Sequence, residues 1–430
     1  MKRILHIWVL VLLAAAVWPL SGDATDNCGN LPSPTVLAWN GLLPTPRMGV
    51  STWYAQGSAP TEAYVKTQAD GLVSTGLLAA GYNFVVVDDG WPAASRDGGG
   101  NLVANATRFP DGMAATVTYV HADGEKFGIY SSPYSTTCAG YLGSYQHESA
   151  DATQFATWGA DFLDYDGCNV DAGYSSCYST AGPQIWQLMA QDIRAGSRPM
   201  IIQVGTTPSP WANLWLWAKP VGQNEYRFDQ QDINGLWANF DGAIDIAAGL
   251  SGYSAVGYWA NADMLMNGTG SGPLTGTFTA TQQQTQFGMD SLWSSPLIFG
   301  TDVTAMSSGL LAMYKNPEVI AVDQDALGLI AKRTSQTSCG SATCEVWTKM
   351  LWDGNYALGL LNRASTTQTV TANLSAYSNP DVRDLFARSD LGHMTSYSVS
   401  LPAYGMALVL VTPNSGTAMQ NVVMQNMGIR

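Results

Sequence analysis

Between about residues 47 and 325 the chain alternates short apolar runs with stretches of helical period, and it does so eight times. No other feature restricts the possible folds so strongly. The strand candidates are GVSTW (49–53), YNFVVVDDGW (82–91), KFGIYSS (126–132), DFLDYDG (161–167), RPMIIQVG (198–205), EYRFDQ (225–230), YWANADML (258–265) and SPLIFGTD (295–302). The second is almost continuously apolar, as in strands covered on both faces. Helical spacing follows the first strand, with apolar residues at 65, 69, 72, 73 and 77 and Pro60 in the first turn. Helices are also read at 109–124, 151–159 and 183–196, and from Asp232 onward. Strand–helix alternation implies a parallel sheet, and eight units imply a closed (β/α)8 TIM barrel. A doubly wound open sheet is the rival. It would ordinarily carry a Gly-rich first turn, which this chain lacks.

After about residue 330 the texture changes. EVWTKMLWDGNYALGLLN alternates around Asp353-Gly354, a hairpin signal, and further short strands follow without helical period. The expected architecture is a catalytic barrel over 25–330, a small C-terminal antiparallel β-sandwich over 331–413, and a tail over 414–430. Residues 1–24 carry Lys2 and Arg3, an apolar run and then small residues. They read as a signal peptide, so the mature chain is expected to be secreted or periplasmic and off the membrane. The six cysteines are an even number, which in an exported chain favours disulfides. Cys339 and Cys344 are easily bridged across a hairpin. No cysteine pair has the spacing and His company of a zinc site, so neither metal nor cofactor is expected. A net charge of −14 argues against nucleic acid as partner. Asn105, Asn267 and Asn373 open glycosylation sequons.

A barrel carries its chemistry at the carboxyl ends of its strands. Those ends offer Trp53, then Asp88, Asp89 and Trp91, then Tyr130, then Asp164 and Asp166. Arg227, Asp229, Asp232, Asp263 and Asp302 follow. Carboxylates accept bonds from hydroxyl groups, and aromatic faces pack on the C–H side of a sugar ring. Cleaving a glycosidic bond needs two carboxyl groups, one ionised and one able to lend a proton. Asp123, Asp161 and Asp245 read as capping or surface groups, and Trp158 and Trp186 as core.

The ordered motifs TPRMGVSTW, VVVDDGW, KFGIYS, FLDYDGC, SSPLIFGTD and EVIAVDQDALG resemble those of glycoside hydrolase family 27, the α-galactosidase (melibiase) group. DVRDLFARSDLG and LPAYGMALVLV resemble that family's C-terminal β domain. The resemblance spans roughly residues 45–413. It implies a retaining exo-glycosidase that removes terminal α-galactosyl groups from oligosaccharides or glycoconjugates. By the same resemblance Asp166 is the nucleophile and Asp232 the acid/base. Trp53, Asp88, Asp89, Tyr130, Arg227 and Asp263 contact substrate, and Cys138 pairs with Cys168. In this assignment the two catalytic carboxyl groups lie roughly 5–5.5 Å apart.

Two departures stand out. Asp164 occupies the place of the family's Lys, two residues before the nucleophile. VGTTPSPW (204–211) replaces the strand-five motif that reads the sugar's 2-position. Asp164 is therefore expected to turn away, to select a different sugar or, as a third reading, to face a bound cation. The candidates are an amino sugar, an α-N-acetylgalactosaminide, a β-L-arabinopyranoside or an isomaltose-type α-glucan. A non-catalytic sugar-binding protein is the more distant alternative. Arg227 and Asp232 also stand one residue further apart than the family pattern, which makes Asp229 a rival acid.

Overall fold

The computed structural model describes residues 28–168 and 170–414. The predicted signal segment and most of the tail lie outside these. Eight parallel strands form one curled sheet: β1 (Met48–Ser51), β2 (Phe84–Val87), β3 (Lys126–Ser131), β4 (Phe162–Tyr165), β5 (Ile201–Val204), β6 (Glu225–Arg227), β7 (Trp259–Asn261) and β8 (Leu297–Phe299). Their order is β7-β6-β5-β4-β3-β2-β1-β8. The remaining seam, between β7 and β8, is joined by a parallel bridge from Leu265 to Phe299. The Leu265 amide donates to Ile298 O at 2.7 Å, and the Gly300 amide donates to Leu265 O at 3.0 Å. The open doubly wound sheet is thereby excluded.

The helices are α1 (Trp53–Gln56), α2 (Glu62–Ser74), α3 (Met113–His121), α4 (Glu148–Trp158), α5 (Tyr178–Ala195), α6 (Trp237–Ala247), α7 (Ala280–Trp293), α8 (Ser308–Tyr314) and α9 (Pro317–Asp323). Several begin away from their predicted starts. Thr61 caps α2 by accepting the Tyr64 amide, so Pro60 precedes the cap. Gly112, at φ +81, delays α3 to Met113. The helix expected from Asp232 begins at Trp237, because the Ile233 amide is drawn to Asp263 and the Asn234 amide to the Tyr54 hydroxyl. After β5 a short 3-10 turn, Leu214–Leu216, stands where a helix would be.

The sequence reading missed α7. The helix is buried nearly all round, so it shows no polar face and no amphipathic period. Its glutamines are spent on backbone: Gln286 Nε2 donates to Met264 O and Gln283 Nε2 to Met266 O, each at 2.9 Å.

The outer faces of the strands pack on the helices in one large core. The lower barrel interior is filled by Leu43, Phe84, Val86, Phe162, Ile201 and Trp259. Above this plug the inward positions turn polar, and that change places the site. Trp186 is fully buried, as expected, and Trp158 packs against Trp91. Asp161 takes the Phe127 amide, Asp245 pairs with Arg363, and Asp302 caps Thr304, so these three serve structure.

The C-terminal strands are β9 (Lys332–Cys339), β10 (Ala342–Met350), β11 (Tyr356–Asn362), β12 (Gln368–Asn373), β13 (Asp381–Asp384), β14 (Ser389–His393), β15 (Ser396–Leu401) and β16 (Met406–Thr412). They form a six-stranded antiparallel sheet, β14-β13-β16-β11-β10-β9, and a two-stranded one, β12-β15. β11 is buried on both faces. Leu358 and Leu360 face the cluster that includes Val370 and Leu401, while Ala357 and Leu361 join the main core. Gly354 turns the predicted hairpin at φ +85.

Three disulfides form: Cys28–Cys177, Cys138–Cys168 and Cys339–Cys344. Among the described residues no helix is long and apolar enough to cross a membrane. The Asn267 sequon is closed to glycosylation in the folded chain. That side chain is buried and bonded to Thr301 through both its amide nitrogen and its oxygen.

Candidate active site

A cavity of about 670 Å³ opens at the carboxyl ends of the strands. It is lined by every sequence-predicted sugar-contacting residue: Trp53, Asp88, Asp89, Tyr130, Asp164, Asp166, Arg227, Asp232 and Asp263. Asp229 is absent from the lining. It is buried beside the site, its Oδ1 accepting the Gln231 amide and its Oδ2 unpartnered. Gln230 and Gln231 face the cavity instead.

Asp166 follows directly on β4. Its Oδ1 accepts the Gly167 amide at 2.9 Å, the Thr206 hydroxyl at 2.6 Å and the Thr206 amide. Its Oδ2 accepts the Tyr130 hydroxyl at 2.9 Å. Four donors from three chain segments therefore hold the carboxyl in one orientation. Gly205 makes room for it, since a Cβ there would lie 2.5 Å from Asp166 Oδ1. The Cys138–Cys168 bridge ties the loop after β3 to the loop after β4, with Cys138 Sγ 3.3 Å from Asp166 Oδ2. Sulfur, sulfur and carboxylate converge there, but a disulfide offers no thiolate to a metal.

Asp232, in the same cavity lining, accepts Arg227 Nη2 at 2.7 Å and Trp53 Nε1 at 3.3 Å. Burial pushes its carboxyl up, but the Arg227 charge and hydrogen bond outweigh this and hold it below the usual carboxylate range. Arg227 also lies 3.6 Å from Asp263 Oδ2, which accepts the Tyr54 hydroxyl at 2.6 Å and the Ile233 amide at 2.8 Å. Asp263 adopts φ +74, a left-handed conformation that Asp tolerates better than most residues. Burial raises it to about 6.

Asp88 and Asp89 follow β2. Asp88 Oδ2 accepts the Ser51 hydroxyl at 2.8 Å, and its Oδ1 accepts the Asp89 amide at 2.8 Å. Asp89 accepts the Gly90 and Ala139 amides at 2.6 and 2.7 Å. Burial pushes Asp88 up to about 7, with the neighbouring Asp89 and Asp166 adding to the effect, and burial raises Asp89 as well.

Asp164 does not turn away from the site. It lines the cavity, and its Oδ1 accepts Gln203 Nε2 at 2.9 Å. Gln203 Oε1 in turn accepts Asn261 Nδ2 at 2.6 Å and Arg47 Nη2 at 3.3 Å. Arg47 rises from the barrel floor, paired with both oxygens of Glu225 at 2.7 Å, its guanidinium 3.5 Å from the Phe162 ring centre.

Sequence reasoning missed Arg47, Ser51, Tyr54, Gln203, Gly205, Thr206 and Asn261. The barrel's period-two rule could have found two of them, Gln203 and Asn261. Asp164 and Asp166 point inward, so their register partner Gln203 on β5 does too, and Glu225 and Asn261 follow in the same way.

A parallel barrel with paired carboxyls and aromatics around one open cavity is a glycoside hydrolase's apparatus. Comparison with known proteins narrows the class. The family model described as α-galactosidase A matches residues 55–325, and that of the α-galactosidase C-terminal β-sandwich domain matches 341–411. The chain belongs to the α-galactosidase (melibiase) family, enzymes that hydrolyse O-glycosyl bonds. It is 34% identical to an α-galactosidase of Cyamopsis tetragonoloba over 387 residues, covering 88% of this chain and 89% of that one. An α-galactosidase of Oryza sativa is also 34% identical, covering 87% and 86%. The solved structure of α-galactosidase I from Mortierella vinacea matches with a TM-score of 0.78 at 26% identity, covering 88% of this chain and all of that one.

Proposed function

We propose that the protein is an exported, retaining α-galactosidase. Asp166 attacks the anomeric carbon and forms a glycosyl-aspartate. Asp232 protonates the departing glycosidic oxygen, then takes a proton from the water that resolves the intermediate. Trp53 covers one face of the sugar. Asp88 and Asp89 accept its far hydroxyls, and Arg227 and Asp263 hold Asp232 and the adjoining hydroxyls.

One observation carries this reading. Asp166, fixed by Gly167, Thr206 and Tyr130, and Asp232, held by Arg227 and Trp53, line the same cavity. Asp229, the rival acid, does not line the cavity. Export is supported by the N-terminal segment and by three disulfides, bonds that persist in oxidising compartments.

The test is a pair of substitutions assayed on a nitrophenyl α-galactoside. Asp166→Ala and Asp232→Ala should each lower kcat/KM by roughly three orders of magnitude. Near-normal turnover in both would reject the mechanism.

Asp164 and the Thr206-Thr207-Pro208 wall support a second reading, in which the same chemistry acts on another sugar. A panel of nitrophenyl glycosides separates the two. A rate on α-galactoside far below that on an α-N-acetylgalactosaminide, β-L-arabinopyranoside or α-glucoside would favour the second.

A further inference from the structure

Asp164 stands where the family resemblance places a Lys; an ammonium group can only donate hydrogen bonds and an ionised carboxylate can only accept them. Asp164 nevertheless remains in the cavity wall. Its surroundings fix which of its oxygens is free. Gln203 Oε1 is already taken by Asn261 and Arg47, so the Gln203 amide nitrogen must face Asp164. Asp164 Oδ1 therefore accepts from Gln203, and among the described residues Oδ2 has no protein partner.

The charges around Asp164 do not favour a carboxylate. β2 leads into Asp88 and Asp89, β3 brings Tyr130, and β4 itself leads into Asp166. From β5 and β7 come the neutral Gln203 and Asn261. Of the two cations in the wall, Arg47 pairs with both oxygens of Glu225 from β6 and reaches Asp164 by hydrogen bonds only through Gln203, and Arg227 pairs with Asp232 and Asp263.

We propose that Asp164 works as a neutral carboxylic acid, its proton on Oδ2, and donates a hydrogen bond to a sugar hydroxyl where the family uses an ammonium group. The proposal rests on the reading of Asp166 and Asp232 given above. Burial raises Asp164 well above the ordinary carboxylate range and Asp166 and Asp88 push the same way, while the Arg47 charge and the Gln203 hydrogen bond pull against this without offsetting it. A carboxyl kept neutral so that it can donate is an established device in apolar sites. It makes Asp164 a substrate-binding residue that loses its donor in alkali, which a Lys would not do at the same pH.

Two measurements test this on the full chain. The infrared difference spectrum of wild type against Asp164→Asn, at about pH 6, should show a protonated-carboxyl stretch that the variant lacks. Absence of that band overturns the proposal, whichever sugar is the substrate. Calorimetric titration with D-galactose should find Asp164→Asn within about threefold of wild type, because the amide still donates. Asp164→Ala should bind at least tenfold more weakly, and wild-type affinity should fall in alkali while that of Asp164→Asn stays level. An Asn variant as weak as the Ala variant would also overturn it. If wild type does not bind galactose at all, the sugar assignment fails and the infrared band alone decides the role of Asp164.

Discussion

Arg227 Nη2 lies 2.7 Å from Asp232 Oδ1, so the proposed proton donor rests in an ion pair. An acid must hold its proton at the working pH, and this pairing holds Asp232 below the usual carboxylate range. The alkaline limb of kcat/KM should therefore sit at acidic pH. Arg227→Ala removes the cation and leaves burial to act, so the limb should move up by at least about one pH unit. The rate at the optimum should fall at least tenfold, because Arg227 also orients Asp232 and Asp263. A pH–rate profile of the variant checks both effects, and an unmoved limb would separate Asp232 from the acid role.

Gly205→Ala tests how tightly Asp166 is placed. The added methyl would meet Asp166 Oδ1 at 2.5 Å, and the backbone at 205 cannot retreat without dragging Thr206, which also holds that oxygen. A displacement approaching 1 Å should lower kcat by about 100-fold with little change in melting temperature. Steady-state kinetics beside a thermal melt distinguish this from unfolding.

The barrel and most of the candidate site residues that line its cavity could be named from sequence, the barrel from short-range order and the roles from the family resemblance. Strand-end carboxyls stand out in apolar runs, and the ordered series of motifs that includes DDGW and FLDYDGC names them without tertiary information. What stayed hidden depends on register across strands. Gln203 matters only because β5 pairs with β4 so that it faces Asp164, and nothing within RPMIIQVG marks it. α7 was hidden for a different reason. A helix enclosed between the barrel and the C-terminal sheet needs no polar face, so its buried Gln and Thr residues mimic a loop. The partner of Cys28 is 149 residues away and could not be chosen by spacing.

Lys349, on β10, reaches from the C-terminal sheet into the barrel's outer layer. Its ammonium donates to Ser291 O at 3.1 Å, Ser294 Oγ at 2.6 Å and Val322 O at 2.5 Å, and burial lowers it to about 8. Asp323 lies near enough to pull against that shift. Lys349→Met would keep much of the volume but strip three buried acceptors of their donor. A cost of about 1–3 kcal/mol is expected for leaving such acceptors unsatisfied. Calorimetry should show a melting temperature lower by several degrees, with kcat/KM at room temperature within about twofold of wild type.

Stability should peak in mild acid. Burial raises Asp88 to about 7, Glu125 to about 8, Glu148 to about 7 and Asp323 to about 8. For a raised carboxyl the folded state binds more protons than the unfolded one between the two pKa values. Its contribution is complete below the unfolded pKa and is lost as pH rises through the folded one. Asp245 and Glu318, lowered by their bonds to Arg363 and Arg383, act in the opposite sense and lose their contribution only as pH falls below about 4. The melting temperature should therefore be highest near pH 4–6 and decline toward pH 8. Glu125 isolates the effect, since it is buried with both oxygens unpartnered and lies outside the cavity. Glu125→Gln cannot ionise, so the variant should gain stability on wild type as pH rises from 5 to 8. Denaturant titrations of both proteins at the two pH values measure that difference directly, and parallel pH profiles would show that Glu125 reaches solvent in the folded state.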